Sequence, residues 1–269
     1  MRYSDVCSRL HKAKIENYAR EAAILVEEIC GELSEDKDYP SKELSDAVDK
    51  RCSGYPLQYI IGKWWFCRCE FEVNENCLVP RPDTECVVEE ALKILPKNAR
   101  FADLCTGSGC IAISLLDMRA DLKGTAVELY RETLEIARRN ALRNKVSKRL
   151  SLVVGDVLNG DGLGEEKYSA IISNPPYIRS DVVDSLSGEV TYEPHAALDG
   201  GKDGMIFYRA IIEKYAQNLE DGGVFVFEIG YDQAADIAAL ADERGYDCRI
   251  EKDLGGNDRV AVLKNKLLK

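Results

Sequence analysis

The sequence predicts an α/β protein: a mostly parallel sheet with helices on both faces, preceded by a small helical region. Three observations carry that expectation. From residue 101 onward, short apolar runs alternate with stretches of helical periodicity, the pattern of a parallel sheet whose crossovers are helices. The first run leads through Asp103-Leu-Cys-Thr-Gly107-Ser-Gly109 into a helical stretch, a strand, glycine turn and helix in succession. Before residue 60 the apolar residues recur at helical spacing instead.

The helical region comes first. Val6, Leu10, Tyr18, Ala22, Leu25 and Ile29 recur at roughly helical spacing, and Gly31 follows as a stop signal. Ser41 opens Ser-Lys-Glu-Leu-Ser-Asp-Ala-Val, a capped helix start. Gly54-Tyr-Pro56 breaks the pattern. Residues 1–60 are therefore expected to form a helical domain. From Trp64 to Val79, aromatic and β-type residues surround Asn74-Glu-Asn76, which predicts a hairpin within a linker of residues 61–82. Residues 83–269 are expected to form the sheet domain. Its strands are read at 101–105, 124–129, 150–154, 168–173, 223–229, 246–251 and 259–264, and its helices at 109–118, 131–143, near 207–218 and at 233–244. The expected sheet thus has seven strands.

Bulk composition narrows the function classes. The chain has 269 residues, 45% hydrophobic and 31% charged, enough apolar content for a globular core. The net charge of −11 argues against a duplex nucleic-acid substrate and allows a basic protein partner. No stretch of about 18 apolar residues suggests a membrane span, and the N-terminus lacks the apolar core of an export signal. A cytoplasmic location is expected. The ten cysteines are scattered, which reads as reduced thiols. The closest pair is Cys67-Arg-Cys69 and the histidines are His11 and His195, so no metal site is expected.

The glycine loop lets backbone approach a ligand closely, with a helix N-terminus behind it. Taken alone it is ambiguous, because Gly107-x-Gly109-x-x-Ala112 also satisfies the dinucleotide fingerprint. Glu128 ends the second strand, where a carboxylate accepts ribose hydroxyls of any adenosyl cofactor. Asp156 ends the third strand and is a candidate for the adenine edge. These positions share the carboxyl edge of the sheet, where open α/β sheets bind ligands.

The fourth strand ends abruptly in Asn174-Pro-Pro-Tyr177. An –NH2 group on an sp2 carbon is a poor nucleophile, since its lone pair is delocalised. The Asn174 side-chain oxygen and the Pro175 carbonyl form a pair of acceptors for its two hydrogens. The prolines fix where that carbonyl points. Tyr177 offers a ring to lay against a planar amide or base. The matching electrophile is the methyl of S-adenosylmethionine, which needs alignment rather than a strong base.

From Pro56 to the C-terminus the chain resembles the release-factor glutamine methyltransferases, the HemK/PrmC family. The matching segments are Pro56-Leu-Gln-Tyr-Ile-Ile-Gly62, Leu78-Val-Pro-Arg-Pro-Asp-Thr-Glu85, the glycine loop, Asn174-Pro-Pro-Tyr-Ile178, Tyr192-Glu-Pro194 and Asn257-Asp-Arg259. The resemblance implies a Rossmann-like, S-adenosylmethionine-dependent methyltransferase domain behind a helical domain that helps hold the substrate protein. It implies methyl transfer to the side-chain amide nitrogen of the glutamine in the Gly-Gly-Gln loop of class 1 peptide chain release factors. A monomer without stable nucleic-acid binding is expected. Carried over by motif, Cys105, Thr106, Gly107, Ser108, Gly109, Glu128, Asp156, Val157 and Asn174 line the cofactor. Asn174, Pro175, Pro176 and Tyr177 hold the substrate glutamine and are the catalytic set. Cys105 stands where the family more often has glycine. Among Trp64, Trp65 and Phe66, burial between domains competes with a ring over the glutamine pocket. Arg81 has two readings, a contact to the cofactor carboxylate or a seal at the domain junction. The rival functions are an N6-adenine nucleic-acid methyltransferase, a ribosomal-protein glutamine methyltransferase, a nicotinamide-dependent oxidoreductase and a non-catalytic binding module.

Overall fold

The computed structural model describes residues 1–34 and 37–266. Glu35 and Asp36, within the expected helical domain, and residues 267–269, at the end of the expected sheet domain, lie outside the described residues. The N-terminal part packs helices α1 (Tyr3–Lys12), α2 (Tyr18–Cys30), α3 (Lys42–Cys52) and the short α4 (Leu57–Ile61). Val6, Leu10, Ala22, Leu25, Leu44, Val48 and Leu57 form its core; the first four belong to the stripe that the periodicity picks out, whose Tyr18 and Ile29 pack against that core half-buried. Gly31 ends α2 at φ 82°, and the Ser41 hydroxyl accepts the Leu44 amide at 3.2 Å.

A hairpin follows, β1 (Lys63–Phe66) against β2 (Cys69–Glu72). Its turn is at Cys67-Arg68, not around Asn74-Glu-Asn76 as the sequence suggests. Cys67 takes φ 50° and its amide donates to the Glu85 carboxylate at 2.7 Å, so a tertiary contact supports a turn that lacks glycine. Asn74 spends its turn chemistry locally: its side-chain oxygen accepts the Asn76 amide at 2.9 Å. A 3-10 turn (Pro82–Thr84) then leads into α5 (Glu85–Ile94), a helix the sequence pattern did not mark.

The sheet part continues with β3 (Arg100–Leu104), α6 (Cys110–Met118), β4 (Lys123–Glu128), α7 (Arg131–Arg143), β5 (Leu150–Val154) and β6 (Tyr168–Ser173). It ends with α8 (Ser180–Val183), α9 (Ile206–Tyr215), β7 (Leu219–Glu228), α10 (Ala234–Glu243), β8 (Tyr246–Lys252) and β9 (Asp258–Asn265). The strand order is β5-β4-β3-β6-β7-β9-β8. All neighbours are parallel except β9, which runs antiparallel to β7 and β8. Strand alternation feeds two cores, one on each face. Phe101, Ala170, Ile172, Val224 and Val226 face one; Ala102, Ile171, Phe225 and Phe227 face the other. The chain reverses direction across the sheet between β3 and β6, so their carboxyl ends open a crevice. Among the described residues no helix is long and apolar enough to cross a membrane, and no cluster of three His, Cys, Asp or Glu side chains is placed to hold a metal.

Candidate active site

The carboxyl ends of β3, β4, β5 and β6 wall a cavity of about 450 Å³. Cys105 and Gly107 come from the β3 turn, residues 128–130 from β4, residues 155–158 from β5, and Asn174 and Pro176 from β6. Residues 194–197 and Phe207 close the far side.

The β3 turn is built on three left-handed residues: Cys105 at φ 59°, Gly107 at φ 57° and Gly109 at φ 83°. Cys105 therefore adopts the glycine-like conformation that its side chain disfavours. A Cβ on Gly109 would approach the Ile113 Cδ1 to 2.9 Å, so this glycine lets α6 pack against its own turn. Thr106 and Ser108 are buried and, with Gly109, line neither cavity; they shape the loop. The Thr106 hydroxyl donates to Asp103 Oδ2 at 2.5 Å, and the Ala112 amide reaches the same oxygen at 3.2 Å. Burial pushes the Asp103 carboxyl up to about 7, and Oδ1 has no partner among the described residues.

Glu128 holds three backbone amides. Its Oε2 accepts Gly107 N–H at 2.9 Å; its Oε1 accepts Leu129 at 3.0 Å and Tyr130 at 3.2 Å. Burial pushes its pKa up against the pull of those three donors. Asp156 folds its own turn, with Oδ1 accepting the Leu158 amide and Oδ2 the Asn159 side chain, both at 2.9 Å. Val157 is buried beside it, and both line the cavity.

Asn174 borders this cavity and a second one of about 110 Å³, lined also by Leu78, Arg81, Pro175, Tyr177 and Glu228. Its side-chain N–H donates to the Thr84 hydroxyl at 3.1 Å. Among the described residues, neither its side-chain oxygen nor the Pro175 carbonyl accepts a hydrogen bond. The Tyr177 hydroxyl donates to Glu228 Oε1 at 3.3 Å. Arg81 pairs with the buried Glu193 at 2.5 Å, a contact of the kind a seal at the domain junction makes, while its side chain also lines the smaller cavity. Phe66 is buried, Trp65 is exposed, and Trp64 packs on the cores of both parts; none of the three lines either cavity.

These chambers sit in a fold shared with known methyltransferases. Residues 86–201 match the family described as Methyltransferase small domain. A methyltransferase from Pyrococcus furiosus superposes with a TM-score of 0.56 at 23% identity, over 74% of this chain and 89% of that one, a likeness of fold. Over 273 residues the chain is 37% identical to the release factor glutamine methyltransferase of Caulobacter vibrioides, covering 96% of this chain and 94% of the relative. It belongs to the release factor glutamine methyltransferase family. A second member, from Clostridium botulinum, is 35% identical over 93% of both chains. Membership makes the protein a methyltransferase and removes the oxidoreductase and binding-module readings of the glycine loop.

Within this methyltransferase, several residues at or next to the cavities carried no assignment from sequence. Thr84, which lines neither cavity but meets Asn174, lay inside a quoted motif without a role. Leu129 and Tyr130, both lining the larger cavity and half exposed, carried the signal of apolar residues following a strand-end acid. Glu228 ends β7 as Glu128 ends β4, so the rule that selected one acid applied equally to the other.

Proposed function

We propose that this protein methylates the side-chain amide nitrogen of the glutamine in the Gly-Gly-Gln loop of class 1 release factors, with S-adenosylmethionine as donor. The observation that carries the reading is the position of Asn174 on the wall between a large and a small chamber. The large chamber fits the cofactor. Its volume lies in the range of small-molecule sites, Gly107 has no atom within 4 Å of where a Cβ would stand, and Glu128 uses three of its roughly four acceptor sites. Cys105, Gly107, Glu128, Asp156, Val157 and Asn174 would hold the cofactor there, on a loop shaped by Thr106, Ser108 and Gly109. When bound, the cofactor supplies a methyl already activated by its sulfonium.

The small chamber suits a side-chain amide, not a flipped purine with its sugar. In it the free Asn174 oxygen and Pro175 carbonyl accept the two amide hydrogens and aim the nitrogen at the larger chamber. Pro175 and Pro176 hold that backbone rigid, and Tyr177 packs its ring on the amide plane. The helical domain (residues 1–60) and linker (61–82) hold the release factor against the catalytic domain (83–269), and the net charge of −11 favours a protein substrate over nucleic acid. The enzyme works as a cytoplasmic monomer.

Single-turnover methyl transfer to a release factor carrying Gly-Gly-Gln tests this, with a Gln→Ala release factor as blank. Asn174→Ala and Asn174→Asp should bind cofactor and lose on the order of 100-fold or more in rate. Near wild-type turnover by Asn174→Ala would reduce Asn174-Pro-Pro-Tyr177 to a structural turn.

A further inference from the structure

The reaction leaves a proton to dispose of. When the amide nitrogen attacks the methyl carbon, a C–N bond forms and the C–S bond breaks, with its electron pair going to sulfur. The nitrogen then carries one hydrogen too many. The Asn174 oxygen and Pro175 carbonyl are neutral amide oxygens, which do not hold a proton at neutral pH. Of the other polar side chains on the small chamber, Arg81 is a paired cation and Tyr177 keeps its own proton, because burial and the neighbouring Glu228 charge push its pKa up.

Glu228 remains. It ends β7, is 1% exposed, and lines the small chamber beside Asn174 and Pro175. Its Oε1 accepts the Tyr177 hydroxyl, and its Oε2 has no hydrogen-bond partner among the described residues. Leaving a carboxyl oxygen buried without a partner is costly, and β7 does not need it, since the backbone of Glu228 is paired with Val260 of β9. We propose that Glu228 is the proton acceptor of the reaction: once the methylated nitrogen is cationic, one of the two hydrogens held by the Asn174 oxygen and the Pro175 carbonyl passes to the Glu228 carboxylate, which returns it to solvent after product leaves. This rests on the assignment of the small chamber to the substrate amide.

The groups facing Glu228 set its protonation. Arg259 on β9 favours the charged form, Asp83 before α5 opposes it, and the Thr84 and Tyr177 hydroxyls favour it. Tyr208 of α9 donates to the Glu228 backbone carbonyl at 2.8 Å, and the thiols of Cys86 on α5 and Cys110 on α6 lie nearby. Burial outweighs these and pushes the carboxyl up to about 7. The acceptor is the ionised form, so the rate should fall as pH drops through that value.

The test is a pH profile of single-turnover methyl transfer, with Glu228→Gln as a nearly isosteric variant. Wild type should lose about tenfold per pH unit below about 7, because only the ionised fraction accepts. Glu228→Gln should bind S-adenosylmethionine within about threefold of wild type by calorimetry. It should react about 100-fold more slowly, and its profile should lose that limb. A variant within about threefold of wild type, or one that is slow but keeps the limb, overturns the proposal. So does a wild type with no limb near 7, whatever the variant does. A wild type that fails to methylate the Gly-Gly-Gln release factor at every pH defeats the substrate assignment itself, a separate failure.

Discussion

The side-chain amide of Asn174 donates to the hydroxyl of Thr84 across 3.1 Å, joining the end of β6 to the turn that precedes α5. Thr84 is buried at the end of the 3-10 turn that Pro82 begins, and Asn174 precedes two prolines, so the contact joins two proline-stiffened segments. It spends the Asn174 nitrogen and leaves the oxygen unpartnered among the described residues. Thr84→Val keeps the shape and removes the hydroxyl. We expect a rate loss of roughly tenfold, the equivalent of about 1.4 kcal/mol for one lost orienting hydrogen bond, with cofactor affinity unchanged and Thr84→Ser near wild type. Single-turnover rates with calorimetry check this; a fully active Thr84→Val would show that Asn174 is oriented without it.

Glu128 does more than meet a ribose. Its carboxylate gathers the amides of Gly107, Leu129 and Tyr130, so it ties the β3 turn to the β4 turn. Glu128→Ala leaves these donors without their acceptor. It should therefore lower both unfolding stability, by roughly 1–3 kcal/mol, and cofactor affinity by a similar amount. Urea denaturation and calorimetry on the same variant separate the two. Lower affinity at unchanged stability would mean that water replaces the carboxylate in the loop.

Cys105 holds φ 59° without being glycine. Ala usually outranks Gly, because glycine has more backbone freedom to lose. In the left-handed region the order reverses, since a Cβ costs about 1–2 kcal/mol there. Cys105→Gly should accordingly be more stable than Cys105→Ala by roughly 0.5–1 kcal/mol, measured by urea denaturation. The usual order would show that the turn relaxes out of the left-handed region in solution.

The middle of the sheet was legible because a central strand such as β6 buries both faces and reads as an apolar run, while the edge strands β5 and β8 are only partly covered; β5, β6 and α7 lie on the spans expected of them. The hairpin was misread because its turn depends on Glu85 receiving the Cys67 amide, a contact 18 residues away that no local pattern records. In the site, Asn174 and Glu128 stood out because strand-end polar residues break an apolar run. Thr84 did not, since a threonine between Asp83 and Glu85 looks like an ordinary helix start. Its role appears only when β6 is laid beside it.

Arg51 links the helical part to the wall of the site. It lies on α3 with its side chain 2% exposed, donates twice to Glu21 at 2.5 and 3.2 Å, and pairs also with Glu189. Glu189 lies in the first half of the 3-10 turn (Gly188–Tyr192) that leads to Glu193 and to the residues walling both cavities. The Tyr192 ring meets Tyr55 edge-on at 5.1 Å, a second anchor in the same place. Arg51→Met should cost roughly 2–3 kcal/mol of stability, below the usual cost of breaking a buried pair because both partners are partly exposed. It should also free the turn, lowering cofactor affinity by the fraction of time the wall is out of place, about fivefold. Adding Glu21→Leu removes the half-buried carboxylate left without its partner and should restore most of the stability, but it leaves Glu189 unanchored. Affinity should therefore stay low while stability recovers. If the two recover together, the wall depends on the folding of the helical part as a whole and not on the Arg51–Glu189 contact.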